Sequence, residues 1–539
     1  MKLKHFFYAA ILTAGITACS DDDNVANSQN PTDVHAYMTL QIVGPQGADT
    51  KTEPKPGGNG DGSQSGDTQT GTTAENTISR VLVLLCDNNN AQIKAIYDVE
   101  NDLEEISGGV KTPVIATQTG TYQVYVIANP TDALVTALTP TEGTASSTKA
   151  TGYTITGVTE ALMQNKYAAN NNFIMFNESN GTDDTAGETI TITEANDYDH
   201  PAQCANAICL DRLAVKINSQ KGQNLDISGI KTDAADQESE FDAVASVDLK
   251  GFKLLNGATQ ANLQQKWTET TPTAYPWTNT LVTPQLANNT TDYYNHLTDF
   301  RTVTTGADGS YTAAQDLYDK VNVYGSSAQD PIYCMENNPT YNGTGITEAL
   351  NGNTTGLVYQ WQVKLTDGSS DEKAGKNCFY AYDGNYYGKL SDLINDYPGV
   401  VADVTGNDLT AKIKVVENEL AAAYAKTGDE RQKAISDFRV KYNIKVYTEG
   451  IMYYTYYIKD QNYKQVEETD KAAVNYYSVM RNTVYNLTVT ELMRIGTDIP
   501  GGWNPETDPE DPVDPTNVYM TIQAVANPWV VSKEDITLE

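Results

Sequence analysis

Beyond residue 18 the sequence has no apolar run approaching the roughly 20 residues that a membrane-spanning helix requires. Positive charge is also scarce. Against 70 Asp and Glu stand 36 Lys and Arg, giving a formal net charge of -34 and a pI near 4.4. A chain this acidic repels phosphate backbones, so nucleic acid is not an expected partner. Histidine is rare, with four in 539 residues (His5, His35, His200 and His296), and none has zinc-ligand spacing. Phosphate loop, nucleophile elbow and dinucleotide fingerprint are all missing. No cofactor, metal ligand or catalytic residue is therefore expected, and the chain does not read as an enzyme. Paired carboxylates are plentiful but follow from abundance, and a glycosidase pair leaves no short signature to find. The six cysteines are too few to staple a chain of this length. Cys204 and Cys209 could bridge locally, with buried free thiols as the alternative.

What is present points to β-structure. Tyrosine is abundant, at 34 against 9 Phe, and it suits half-buried strands. The length suggests two or three domains, and 39% hydrophobic residues are enough for real cores. Short apolar or alternating runs separated by turn signals recur: Arg80–Cys86 before Asp87-Asn88-Asn89-Asn90, Ala91–Val99, Thr121–Ala128 before Asn129-Pro130, Asn172–Phe176 and Thr189–Thr193. This spacing describes a β-sandwich over residues 36–205, with a short helix at Thr159–Asn165. A second sandwich spans 206–495, with strands at Leu210–Ile217, Phe241–Leu255, Pro331–Asn337, Leu357–Leu365, Gly450–Lys459 and Val484–Leu492. A helical insertion at 408–442 interrupts it, where Ile413, Val416, Leu420 and Tyr424, then Ile435 and Phe438, recur at steps of three and four.

The strongest internal signal is a near-repeat. Tyr37-Met38-Thr39-Leu40-Gln41-Ile42-Val43 near one end is matched by Tyr519-Met520-Thr521-Ile522-Gln523-Ala524-Val525 near the other. Both alternate as strands do, with Met38, Leu40 and Ile42 on one face and Met520, Ile522 and Ala524 on the matching face. Two interchangeable strands allow a subunit to lose the first and receive the second from a neighbour. Ala524 in place of Ile42 fills its pocket less well, and Trp529 is the candidate for the remaining contact.

The flanks suit such a trade. After the first copy, residues 44–78 are rich in Gly, Thr, Ser, Asp and Pro, the composition of a flexible, protease-accessible loop. Asn59, Asp61 and Ser63 mimic a calcium loop only loosely, for no Glu stands at the twelfth position. Before the second copy, residues 496–516 form an extended acidic, proline-rich linker, and residues 517–539 beyond it have no evident partner in their own domain. At the N-terminus, Lys2, Lys4 and His5 precede the apolar run Phe6–Ile16. Residues 1–18 read as a secretory signal, cut between Ala18 and Cys19, and residues 19–35 as an acidic tether. The cysteine after small residues resembles a bacterial lipobox, which implies lipidation of Cys19. Ser20-Asp21-Asp22-Asp23 resembles the surface-export signal of Bacteroidetes lipoproteins.

Taken in order, these pieces resemble the Bacteroidetes type V pilins, the fimbrillin family of fimbrial shaft subunits. The resemblance rests on the lipobox, the early strand and its loop, Val126-Ile127-Ala128-Asn129-Pro130, Leu210–Ile217, Tyr333–Asn337, Met480–Val489, the acidic linker and Pro528-Trp529. It implies two transthyretin-like β-sandwich domains and delivery to the outer membrane as a surface lipoprotein. It further implies that a trypsin-like, Arg-specific surface protease removes the strand 37–43. The donor strand 519–525 of another copy then enters the vacancy, giving a head-to-tail extracellular filament with related tip and anchor subunits as partners. This sequence departs from the pattern at the cut, since no Arg lies between residues 44 and 79. Lys51 stands at the expected place and Arg80 is the alternative, while Lys55 precedes Pro56. Competing readings are a tip or anchor subunit, or a non-polymerising glycan-binding surface lipoprotein with Tyr453, Tyr454, Tyr456 and Tyr457 as its platform.

Overall fold

The structure is a computed structural model. It describes residues 36–45, 69–88, 93–100, 102–138, 168–169, 172–178, 187–231, 241–258, 261–267, 281–283, 293–294, 331–339, 349–351, 353–460, 476–499, 513 and 519–530. Ala18, Cys19, the acidic tether, Lys51, the calcium-like residues and the expected helix at 159–165 lie outside these residues.

Among the described residues the first elements are two short strands, β1 (Ala36–Met38) and β2 (Gln41–Val43), then β3 (Gln69–Thr70) and a single helical turn, α1 (Thr73–Asn76). A capping box closes α1: the Glu75 N–H donates to the Thr72 hydroxyl, and the Thr72 N–H donates to the Glu75 carboxylate at 2.6 Å. There follow β4 (Val81–Asp87), β5 (Ile93–Val99), β6 (Glu104–Ile106), β7 (Gly109–Lys111), β8 (Ile115–Thr117), β9 (Gly120–Ala128), β10 (Met175–Asn177), β11 (Glu188–Ile192) and β12 (Ile208–Arg212). Their order is β5-β4-β9-β10-β12-β2-β7-β6, with β11 on the first half of β9 and β1 paired to β8. The sheet curls until its halves face each other across one core. Val81, Val83, Leu85, Val124 and Val126 on one side meet Met38, Leu40, Ile42, Val110 and Ile115 on the other. The unbroken apolar run of β4 has a second cause. Its alternate residues Leu82, Leu84 and Cys86 are buried on the far face, under Leu134, Leu138 and Leu263.

The second domain holds β13 (Ala214–Asp226), β14 (Val244–Leu255), β15 (Ile332–Met335) and β16 (Gly356–Leu365). After them come β17 (Phe379–Tyr382), β18 (Asn385–Tyr387), α2 (Leu390–Asp396), α3 (Leu409–Tyr424), α4 (Gly428–Tyr442) and β19 (Lys445–Tyr447). The last strands are β20 (Ile451–Tyr457), β21 (Thr483–Leu492) and β22 (Met520–Val530). One sheet runs β15-β13-β21-β22-β3 and the other β14-β16-β20, and Trp361, Tyr359, Phe252, Tyr485 and Leu487 fill the space between them. Two packed layers around one core make this domain, like the first, a β-sandwich.

The boundary expected at 205/206 moves. The run Leu210–Ile217 is two strands meeting at Leu213: β12 pairs with β10 and β2 in the first domain, and β13 pairs with β15 and β21 in the second. The insertion is also larger than residues 408–442. Everything between the paired strands β16 and β20 belongs to it, including the sheet β18-β17-β19 and α2. It has its own core of Leu390, Leu393, Ile394, Val416, Leu420, Ile435 and Phe438. Asp408 caps α3 by accepting from the Ala411 N–H at 2.8 Å, and Asn443, at φ 54°, ends α4. The buried Arg439–Asp498 pair, at 2.7 Å, fixes the insertion to the sandwich. The tyrosine run of β20 offers no ring platform at its centre, because Tyr453 and Tyr454 are buried on opposite faces. Cys86, Cys204, Cys209, Cys334 and Cys378 are all free thiols.

Candidate strand-exchange site

The first copy of the repeat occupies a slot inside the first domain. Ala36, Met38, Leu40 and Ile42 are at most 1% exposed, while Gln41 faces solvent. Hydrogen bonds hold this stretch on both edges. Along β1, Tyr37 pairs with Ala116 of β8 on one side. On the other, the Ala202 N–H donates to the Tyr37 carbonyl at 2.8 Å and the Thr39 N–H to the Ala202 carbonyl at 3.0 Å. At Thr39-Leu40 the chain crosses between partners, and Thr112 bridges the crossing. Its hydroxyl accepts from the Leu40 N–H at 3.0 Å and its carbonyl accepts from the Thr39 hydroxyl at 2.9 Å. β2 then runs parallel to β12 (Ile42 opposite Ile208) and antiparallel to β7 (Val43 opposite Gly109). The fit is close. A side chain at Gly109 would place its Cβ 2.0 Å from the Ile42 carbonyl oxygen, so only glycine admits a strand here. Burying Met38, Leu40 and Ile42 stabilises the domain by on the order of 5–9 kcal/mol. Their removal would leave an open apolar groove with unpaired backbone groups on both walls.

The second copy has a different seat. β22 was expected to lack a partner in its own domain, but it lies antiparallel on β21, from Met520 opposite Leu492 to Pro528 opposite Thr483. Pairing in cis covers an apolar strand that would otherwise invite aggregation. Met520 is buried, Ile522 and Ala524 are half-buried against the same core, and Tyr519 and Gln523 are exposed. Among the described residues the outer edge of β22 is covered only at Trp529 and Val530, by β3. The same residue pattern thus sits once in the centre of a sheet and once near its edge.

Between the two seats lies a buried polar joint. Arg212, fully buried, donates through Nε to the Glu75 carbonyl at 3.0 Å, through Nη1 to Asn482 Oδ1 at 3.2 Å, and through Nη2 to Asn76 Oδ1. Glu75 accepts from Lys216 Nζ at 2.8 Å and from the Tyr333 hydroxyl at 2.5 Å. Burial works to raise the Glu75 carboxyl, but the hydrogen bonds from Lys216, Tyr333 and Thr72 outweigh it and hold the group below its ordinary value. Arg80, the alternative processing site, is engaged by Asp98 at 2.6 Å and Asp132 at 3.0 Å, with its side chain 19% exposed. These ion pairs raise its affinity for the proton still further.

Gly109, Thr112 and Ala202 escaped the sequence reading. The Gly108-Gly109 pair was a visible sign of close backbone approach, while Thr112 and Ala202 carry no local signal. Of the residues singled out, the structure groups those of 37–43 in one slot and those of 519–525 along β21, and it does not bring the two sets together.

Two fimbrial family descriptions match the chain. Residues 55–208 match the major fimbrial subunit protein FimA, and residues 445–535 match the C-terminal part of fimbrillin, the type IV major fimbrial subunit protein. Over these two stretches the chain matches the fimbrillin family. The matches support a fimbrial structural or tip subunit, of families that form extracellular surface appendages. Of the insertion between β16 and β20 the matches take in only β19 and the turn that follows it. Among solved structures, the chain is similar to a fimbrilin of Porphyromonas gingivalis, with 14% identity and a TM-score of 0.39 over 92% of this chain and 98% of that one. It is similar to a protein of Parabacteroides distasonis described as a candidate cell adhesion protein, with 12% identity, a TM-score of 0.44 and coverage of 92% and 98%. A C-terminally truncated tip fimbrial protein of Porphyromonas gingivalis aligns at 11% identity and a TM-score of 0.33, over 92% of this chain and 99% of that one. No curated protein sequence matches the chain.

Proposed function

We propose that the chain is a shaft subunit that polymerises by trading its first strand for the last strand of a neighbour. One observation carries the reading. The sequence that fills a central slot as residues 37–43 recurs as residues 519–525 in a shallower seat, with the same three positions turned inward. The donor strand gains burial by moving to an emptied slot. Each copy would offer one slot and one strand, so the contact is head-to-tail and propagates as a filament.

The slot must first be vacated. A trypsin-like surface protease cutting after Lys51 would release the strand together with the segment that carries Cys19. Before that cut, lipid on Cys19, exposed by cleavage after Ala18, would hold the precursor at the outer membrane. Adhesion and colonisation follow from the filament, with related tip and anchor subunits at its ends. The buried Tyr453 and Tyr454 weaken the competing glycan-platform reading.

Trypsin trimming of the purified protein tests the proposal. Loss of residues up to Lys51 should yield ladders that survive SDS without heating, and deletion of residues 517–539 should abolish them. Trimmed protein that stays monomeric on size exclusion would overturn the shaft assignment.

A further inference from the structure

The apolar face of the donor strand does not by itself decide where the strand would sit in an emptied slot. In the register of the repeat, Met520, Ile522 and Ala524 take the places of Met38, Leu40 and Ile42. A shift by one residue turns that face to solvent. A shift by two keeps it inward. In one direction Val518, Met520 and Ile522 would take the three places, and Ile522 would fill the Ile42 pocket that Ala524 leaves part empty. Apolar filling therefore favours the shifted register, and only the residues of the other face can oppose it.

On that face Gln41 is exposed and Tyr37 and Val43 are half-buried, but Thr39 is 3% exposed. Thr39 sits at the crossing, where the chain has left β1 and not yet joined β2. Thr112 closes the crossing with three hydrogen bonds. Its N–H donates to the Leu40 carbonyl at 2.9 Å, and its hydroxyl accepts from the Leu40 N–H at 3.0 Å. Those two bonds go to backbone and would serve any residue. The third is selective. The Thr112 carbonyl accepts from the Thr39 hydroxyl at 2.9 Å, which requires a short side chain that can donate.

Resting on the strand-exchange reading, we propose that Thr521 sets the register of the incoming strand by placing its hydroxyl on the Thr112 carbonyl of the acceptor. Thr521 is the specificity-determining residue of the donor, and Thr112 is its seat. In the register of the repeat, the Thr521 hydroxyl falls where that of Thr39 lay. In the shifted register Tyr519 falls there, and in the opposite shift Gln523 does. A phenol or a carboxamide overfills a closed seat beside backbone. The Thr112 carbonyl, if left without a donor, is a buried acceptor unpaired. On its own subunit Thr521 donates to Glu491 Oε2 at 3.0 Å. Its hydroxyl is thus paired in either seat, and the move strands no donor.

Cross-linking reads the register directly. Gln41 stands opposite Lys111, and Val43 stands opposite the native Cys209. In a Gln523→Cys/Lys111→Cys parent, trimmed and oxidised during assembly, position 523 of one copy should join position 111 of the next, as mapped by peptide mass. The shifted register brings position 523 to Cys209 instead. Thr521→Val in this parent should move the ratio of the two products toward Cys209 by roughly tenfold. Thr521→Ser, which keeps the hydroxyl, should hold the parent ratio. Tyr519→Thr/Thr521→Val, which moves the hydroxyl two residues upstream, should make the Cys209 product predominate. A parent already joined at Cys209, or a ratio unchanged in all three variants, would overturn the role of Thr521 and leave strand exchange standing. Neither product, with trimmed protein monomeric, would remove strand exchange and this role with it. The uncut chain supplies a check free of assembly. There Thr39→Val should lower the melting temperature by about 5 °C. No change would overturn the seat, whether or not filaments form.

Discussion

Ile42 and Ala524 hold equivalent places in the two copies of the repeat, yet they differ by several carbons. Ile42 is fully buried in the first domain, so a donated strand carrying alanine there leaves a void beside Val110 and Ile208. An isoleucine-to-alanine truncation in a core costs about 2–5 kcal/mol. Ala524→Ile should therefore slow subunit release from filaments and raise the temperature at which SDS ladders dissociate, read by gel after graded heating. The proposed cut is tested at the same scale. Arg80 is the residue type an Arg-specific enzyme prefers, but it directly precedes β4 and its guanidinium is engaged by two carboxylates. Lys51→Gln should abolish trimming of the N-terminal strand by trypsin, while Arg80→Gln should leave it intact, as read by mass of the trimmed product. The Arg80 pairs are partly exposed, so their loss should cost no more than about 1 kcal/mol.

At the scale of elements, the contrast is between a strand bonded on two edges and one bonded mainly on one. β22 can serve as donor only if it leaves β21. A disulfide between neighbouring positions on the outward face should prevent that. Thr488 stands opposite Gln523, and Gln523 is exposed. The Thr488→Cys/Gln523→Cys pair, once oxidised, should be trimmed normally by trypsin yet remain monomeric on size exclusion, and reductant should restore the ladders. The insertion is a separate element with its own core. Its helices were legible at 408–442 from the spacing of Val416, Leu420, Ile435 and Phe438. The sheet β18-β17-β19 was not, because strands of three or four residues are too short to show a period.

For the whole molecule, the two domains share a joint of buried charge in place of a flexible hinge. Glu75 is held below its ordinary carboxyl value in the folded state, despite a burial penalty, by Lys216, Tyr333 and the Thr72 N–H. Unfolding frees the group to its ordinary value, so the unfolded chain binds the proton at higher pH. The stability from Glu75 is fully present at neutral pH and is lost as pH falls below about 4.5 through the lowered folded value. Melting temperature should drop on acidification across that window. Glu75→Gln should be less stable at pH 7 and should lack that part of the pH dependence, as followed by circular dichroism. Removing one partner from a buried pair leaves Lys216 uncompensated, at a cost of about 3–5 kcal/mol.

Local pattern determined a good deal. Alternation marked the strands and which of their faces turn inward, the steps of three and four marked α3 and α4, and the repeat itself was visible as letters. These follow from backbone periods of 2 and 3.6, which any stretch of chain carries within itself. The tertiary structure decided what depends on partners distant in sequence. Leu213 divides two domains because β12 finds Met175–Asn177 while β13 finds Val484–Val489. Glu75 is buried because Lys216 and Tyr333 close over it. Residues 37–43 are central while residues 519–525 lie near an edge, although the two sequences are nearly the same. A seven-residue pattern specifies that one face must be covered. How many neighbours cover its edges is set by the rest of the fold, and that difference in seating is the burial a donated strand would gain under the proposed exchange.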